Sequence, residues 1–178
     1  MQYDLIVIGA GPGGYVAAIR AAQLGLKTAV AERAEVGGTC LNRGCIPTKT
    51  LMHSANLYRE IGEAGKMGVN VTGAEADFKA MHARKAQVVE QLRGGVAQLL
   101  KGNGIDVLEG EAAFVSPESI TVGGETYTAK NFIIATGSKP AVPPIPGADL
   151  PGVVTSDEML DTDSCDYKEL VIIGGGVI

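Results

Sequence analysis

The sequence predicts an α/β protein: a Rossmann-like domain with a parallel sheet and a small antiparallel β-meander. Three observations carry that expectation. Two short apolar runs, residues 4–8 and 27–31, flank a glycine-rich turn and an alanine-rich stretch, the pattern of strand, helix and parallel strand. Gly9, Gly11 and Gly14 stand in that turn with Gly-x-Gly-x-x-Gly spacing. From Ala112 to Thr128, three short segments are divided by Ser116-Pro117 and Gly123-Gly124, as in a meander.

Composition narrows the function classes. Of 178 residues, 46% are hydrophobic and 20% charged, enough apolar surface to build a globular core. The 25 glycines fall in clusters, which points to backbone approaching a ligand rather than to low complexity. The net charge is −5 with no basic run, so neither nucleic acid nor a membrane is an expected partner. The apolar run after Met1 is too short for a secretory signal, and no stretch approaches a membrane span of about 20 residues. A cytoplasmic location is expected. In that reducing setting a close cysteine pair points to catalysis or metal binding rather than to a structural bridge.

Taken in order, Asp4–Ile8 reads as a buried parallel strand. Gly9 permits the tight turn after it, Gly11 lets a pyrophosphate approach the backbone, and Gly14 lets the helix pack on the strand. The helix from Tyr15 to Leu24 ends at Gly25, and its free N-terminal N–H groups face the phosphates. Lys27–Ala31 is the second strand. Glu32 closes it, 18 residues after Gly14, where a carboxylate accepts hydrogen bonds from ribose hydroxyls. A helix is expected from Ile46 to Ile61, with Pro47 in its first turn, then a loop over Gly62–Gly73. Asp77–Lys101 reads as an amphipathic packing helix with Met81, Val88, Val89, Leu92, Val96, Leu99 and Leu100 on one stripe. Ile105–Leu108 is a further parallel strand. The meander follows as Ala112–Val115, Ser119–Val122 and Glu125–Thr128. Asn131–Ala135 returns as a buried strand ending in Thr136-Gly137-Ser138. The proline-rich stretch after it is a connector, and Thr155–Asp163 holds one or two helical turns. Glu169–Ile173 reads as another buried strand. Gly174 and Gly176 after it match the first two glycines of a second Gly-x-Gly-x-x-Gly turn. The expected organisation is a nucleotide-binding domain over 1–140, a connector over 141–168, and the start of a second, incomplete nucleotide domain over 169–178. The break within that motif leads us to expect the N-terminal portion of a longer protein.

The most informative stretch is Gly37-Gly38-Thr39-Cys40-Leu41-Asn42-Arg43-Gly44-Cys45-Ile46-Pro47-Thr48-Lys49. Three readings of Cys40 and Cys45 stand open. Zinc would need two more ligands, for which the chain offers Cys165, His53 and His82. Two buried free thiols would be packing residues. A redox-active disulfide would make them catalytic. In a regular helix, residues five apart have Cα atoms about 8 to 9 Å apart, beyond the ~7 Å reach of a disulfide. A bridge therefore requires the segment to leave regular helix, with Gly44 supplying the freedom and helix resuming near Ile46. Cys45 would then open a helix, where the dipole favours thiolate. Cys40 would lie further out to meet a substrate thiol. Lys49, one turn after Cys45, would be either a stabilising cation or a solvated surface lysine.

These residues resemble the flavin-dependent pyridine nucleotide-disulfide oxidoreductases. The resemblance rests on Gly9-Ala10-Gly11-Pro12-Gly13-Gly14, Glu32, the stretch from Gly37 to Lys49, and Ile134-Ala135-Thr136-Gly137-Ser138, and covers essentially the whole chain. Within that family the sequence is most similar to the branch that oxidises dihydrolipoamide. Glutathione and mercuric reductases are the alternatives within the family, and a non-catalytic FAD-binding module is the alternative outside catalysis. The resemblance implies an FAD-binding first domain, with Cys45 touching the flavin, Cys40 as the interchange thiol and Lys49 near the ring. It further implies cofactor contacts at Gly9, Gly11, Pro12, Gly13, Gly14, Glu32, Arg33, Gly38 and Thr39, at Ala112 through its backbone, and at Thr136, Gly137 and Ser138. Gly174 and Gly176 would belong to an NAD site that is incomplete in this chain. The implied partners are lipoyl domains of 2-oxo acid dehydrogenase complexes or of the glycine cleavage system, and a second copy in a homodimer of the complete protein.

Overall fold

The computed structural model of the chain describes residues 2–164 and 167–176. Cys165 and the last two residues, Val177 and Ile178, lie outside the described residues, and so does any role expected of them. Among the described residues one six-stranded sheet organises the fold, in the spatial order 106–109, 28–32, 2–8, 125–134, 119–122, 112–116. Strand β1 (Gln2–Ile8) pairs in parallel with β2 (Thr28–Glu32) on one side and β6 (Glu125–Ile134) on the other. Strand β3 (Asp106–Glu109) adds in parallel beyond β2. Helix α1 (Pro12–Gln23) joins β1 to β2, and α4 (Phe78–Gly102) leads into β3.

Alternation along β1 divides the core. Leu5 and Val7 pack with Val30, with Ala18 and Ala21 of α1, and with Val89, Val96 and Leu100 of α4. Ile6 and Ile8 face the other way, beside Ala29, Ala31 and Leu108. Ile120, Val122 and Ala129 complete this second core, so the meander covers the face that no helix covers. At about 25 cal/mol per Å² of apolar surface, these two cores are the main source of stability. The edge strand β3 is tied back to β1 by Tyr3, whose hydroxyl donates to Asp106 at 2.9 Å. Burial, reinforced by that carboxylate, pushes the Tyr3 phenol up to about 12.

The meander, β4 (Ala112–Ser116), β5 (Ser119–Val122) and the start of β6, forms as expected. The expected pair of separate strands, 125–128 and 131–135, is instead the single strand β6. Its first residues pair antiparallel with β5, and from Thr128 onward it pairs in parallel with β1. A change of partner, not a turn, lies between the two halves.

Three other expectations are corrected. The stripe of α4 that packs inward is His82, Lys85, Val89, Val96 and Leu100, while Leu92 and Leu99 are exposed. The polar members enter because Lys85 Nζ donates to the carbonyl of Leu160 at 2.6 Å and the His82 ring packs on Phe78 at 4.4 Å. The expected loop over 62–73 begins with the end of α3 (Cys45–Glu63) and a 3-10 turn at Ala64–Met67. Residues 169–173 form no strand, and Val171, Ile172 and Ile173 are 86, 76 and 74% exposed. An apolar run becomes a buried strand only where a sheet edge offers backbone partners, and no described strand lies beside this one. Thr155 caps the short helix α5 (Ser156–Asp161) with a capping box completed by Glu158.

Candidate active site

The parallel strands end together at one edge of the sheet, the edge where open α/β folds place ligands. Gly9 N–H donates to Ala31 O at 2.8 Å, and Ala135 N–H to Ile8 O at 2.8 Å. These bonds bring the first glycine turn, the end of β2 and the Thr136-Gly137-Ser138 turn side by side. Gly9 has φ +102°, and a Cβ there would collide with the Ala135 carbonyl; one at Gly14 would collide with the Gly9 carbonyl. Gly11 and Gly13 differ. A Cβ on Gly11 would come no nearer than 3.7 Å to Gly38, and one on Gly13 meets nothing within 4 Å. The surface over the start of α1 is therefore open.

The glycine pair before the cysteines forms a second helix start on that surface. Helix α2 (Gly38–Arg43), where a deformed or non-helical entry is expected, has Gly37 at φ +101° as its N-cap. Gly38 lies so close to Gly11 that a Cβ on it would be 2.5 Å from the Gly11 Cα. Gly37 N–H donates to Ala10 O at 2.8 Å. Neither α1 nor α2 has a side-chain cap, so two uncapped helix N-termini converge beside exposed Pro12 and Gly13. That arrangement fits a diphosphate.

Glu32 anchors the other side. Its Oε2 accepts Ala10 N–H at 2.8 Å and its Oε1 accepts Ala34 N–H at 2.9 Å. Each carboxylate oxygen keeps acceptor capacity for a ribose hydroxyl. Arg33 is exposed just after it. Gly110 N–H donates to Glu32 O at 2.9 Å, which sets Ala112, two residues on, at the same rim. The residues present thus fit a dinucleotide cofactor along this edge.

Cys40 and Cys45 form a disulfide with Cα atoms 4.7 Å apart. The required departure from regular helix is confined to Gly44, at φ −139°, ψ −104°, between α2 and α3. The entry is therefore helical up to Arg43, with one sharp break, rather than irregular throughout. Cys45 is the first residue of α3, as expected, so a thiolate released there faces the N-terminus of a 19-residue helix. The expected order of exposure is reversed. Cys45 is exposed and Cys40 half-buried, because Cys40 sits within α2 beside buried Leu41 while Cys45 opens α3 past the break. Lys49 lies one turn further along α3 and is exposed. Gly174, at φ +111°, shares the left-handed backbone of Gly9, and neither it nor Gly176 adjoins a strand or helix.

Sequence reasoning missed two residues of this site. Asn42, between the cysteines, donates through Nδ2 to Val36 O at 3.1 Å and Gly38 O at 3.0 Å, with Glu35 O at 3.4 Å. Its Oδ1 accepts from Arg93 Nε on α4 at 3.0 Å. Asn42 was visible within the motif, but nothing local signals a partner 51 residues away.

Comparisons agree with this geometry. Residues 3–178 match the family described as pyridine nucleotide-disulphide oxidoreductase. The chain is 50% identical over 177 residues to a dihydrolipoyl dehydrogenase of Thermus scotoductus, covering 99% of this chain and 38% of that protein. It is 48% identical over 182 residues to one of Acholeplasma laidlawii, covering 99% of this chain and 54% of the relative. Among solved structures, an HOCl-induced flavoprotein disulfide reductase of Escherichia coli, as its Cu(II) complex, superposes with a TM-score of 0.78 at 33% identity. That match covers 92% of this chain and 35% of the other. The chain thus spans about half the length, or less, of these relatives.

Proposed function

The chain belongs to the pyridine nucleotide-disulphide oxidoreductase family, and from that premise we propose that the whole protein oxidises protein-bound dihydrolipoamide to lipoamide. The observation that carries the reading is the Cys40–Cys45 disulfide at the start of α3, seated through Gly38 against the glycine turn. The dihydrolipoyl dehydrogenases among its relatives favour dihydrolipoamide as the dithiol.

A substrate thiolate attacks Cys40 Sγ, forms a mixed disulfide and releases Cys45 as thiolate. The N-terminus of α3 stabilises that leaving group. The second substrate thiol then attacks the mixed disulfide, closes the substrate disulfide and leaves Cys40 as the thiol. Lys49 supplies positive charge one turn from Cys45. When bound, FAD supplies the route by which the electron pair passes to NAD⁺. The chain's own part is to hold it: Gly9, Gly11, Pro12, Gly13 and Gly14 with Gly38 and Thr39 at the diphosphate, Glu32 and Arg33 at the ribose, Ala112 at the adenine through its backbone, and Thr136, Gly137 and Ser138 near the cofactor. Residues 1–140 serve as this domain, 141–168 as connector, and Gly174 and Gly176 open the NAD turn by their Gly-x-Gly spacing. Lipoyl domains of a 2-oxo acid dehydrogenase complex or of the glycine cleavage system are the proposed partners, in a cytoplasmic homodimer.

The resemblance to the E. coli disulfide reductase favours one second reading, a reductase of another disulfide. Turnover of the whole protein with dihydrolipoamide, oxidised glutathione and mercuric ion separates the two. A visible spectrum tests the core of both: flavin absorbance that gains a long-wavelength band after two-electron reduction is expected. Absence of flavin, or of dihydrolipoamide turnover, sinks the first reading.

A further inference from the structure

We infer that Asn42 and Arg93 act as one positioning pair that holds the Cys40 helix in place for disulfide exchange; the inference rests on the exchange reading above. Helix α2 is only six residues long, too short to persist by its own hydrogen bonds. It has no side-chain cap. Beside the disulfide, buried Leu41, the seat of Gly38 on Gly11 and the Arg43–Glu35 ion pair at 3.7 Å, the Asn42 side chain ties it down from within. That amide stands two residues after Cys40 and three before Cys45. Its two N–H groups close onto the carbonyls of Val36 and Gly38, which locks the loop that seats Gly38 against Gly11. Its oxygen is held by Arg93 Nε at 3.0 Å. Arg93 is itself oriented by Glu90, whose Oε2 lies 3.1 Å from Nη1, and its side chain is 30% exposed. The path runs from α4, an element anchored in the core by Val89 and Val96, to Asn42, which stands between the two cysteines in sequence.

The consequence appears when the bridge opens. In the oxidised chain the disulfide itself ties α2 to α3. In the dithiol that restraint is gone, and the Asn42–Arg93 tether keeps Cys40 within reach of Cys45. Loss of the tether lowers the effective concentration of one thiol for the other. The exchange equilibrium, protein disulfide plus two glutathione thiols giving protein dithiol plus oxidised glutathione, then moves toward the dithiol. Arg93 acts through Asn42 and is a positioning residue, not a catalytic one.

The test uses the whole, flavin-loaded protein in a Cys165→Ser background, equilibrated anaerobically in glutathione buffers of graded ratio. Acid quenching and thiol labelling then report the fraction reduced, a readout independent of turnover. Arg93→Ala is expected to shift the equilibrium about tenfold toward dithiol, as for the loss of one charge-assisted hydrogen bond. Asn42→Ala is expected to shift it further, and the double variant no more than Asn42→Ala alone. Arg93→Lys should restore part of the shift. Should Asn42→Ala not fold, Arg93→Ala and Arg93→Lys decide the matter. An exchanging wild type with unmoved Arg93 variants, or shifts that add independently, overturns this inference alone. A wild-type pair that never exchanges overturns the functional reading and this inference with it.

Discussion

Gly38 shows how one residue can link the glycine turn to the cysteine pair. It has φ +62°, and a Cβ there would lie 2.5 Å from backbone at Gly11. Gly38→Ala therefore has to separate α2 from the glycine turn as well as strain its own backbone. A loss of about 1–3 kcal/mol is expected by urea denaturation, together with at least tenfold weaker flavin affinity by titration. Gly25→Ala is the control. Gly25 has φ +86° with nothing within 4 Å of a Cβ, so it is expected to cost only about 1 kcal/mol and to leave flavin affinity unchanged. Equal effects of the two on flavin would refute the contact argument. At this scale the sequence was legible where chemistry is carried by residue type. The glycine turn, the Glu32 carboxylate against it and the Cys40–Cys45 bridge all form where residue type and spacing put them. The exposure of Cys45 over Cys40 was not legible, because it depends on where a single break falls, and Gly44 takes the whole of it.

Periodicity located the helices but misread what they bury. The long helix was legible from Asp77 to its glycine stop, and Asp77 does cap it, accepting from Ala80 N–H at 2.9 Å. Its buried stripe differs from the apolar one because it takes in His82 and Lys85, which apolar periodicity does not mark. His82 is buried and its Nδ1 has no hydrogen-bond partner among the described residues. Desolvation, then the charge of Lys85, lowers its pKa below the ordinary 6.5, only partly offset by Asp163 and Asp161. The sign follows from linkage. A histidine whose folded pKa is depressed binds fewer protons folded than unfolded, so its contribution is full above 6.5 and is lost as pH falls. Asp4 and Glu158 also have lowered values, but their contribution fades only below their ordinary values of 3.8 and 4.5. The interval from pH 6.5 to 5 thus isolates His82. The melting temperature is expected to fall across it in the native chain and to stay flatter in His82→Leu. An equal slope in both would remove His82 as the cause. Helix α2 and the continuity of β6 were missed for a related reason. A six-residue helix between glycines has no period to read, and β6 changes partner without any turn residue to mark it.

Across the whole chain, the sheet and the two cores could be anticipated, since alternation along β1 and the glycine turn set both. What could not be anticipated is how an apolar run behaves without a neighbour. Residues 169–173 carry the same signature as β1, yet β1 lies between β2 and β6 while Val171, Ile172 and Ile173 are mostly exposed. Apolar pattern states what a segment can bury; the surrounding backbone decides whether it does. This gives the segment a distinct energetic signature in the chain of 178 residues. Val171→Lys with Ile173→Lys is expected to change stability by less than about 0.5 kcal/mol, as for surface substitutions. The same pair of changes should raise solubility, since it interrupts the uncharged β-prone run Leu170–Ile173. Ile120→Ala, at a fully buried position of the meander core, should instead cost about 2–5 kcal/mol. Denaturation midpoints and light scattering measured on the same samples separate the two cases. A loss of stability in the lysine variant comparable to that of Ile120→Ala would show that 169–173 is packed in this chain after all. The reason is energetic: charge at a buried parallel strand costs several kcal/mol, and charge on solvated coil costs almost nothing.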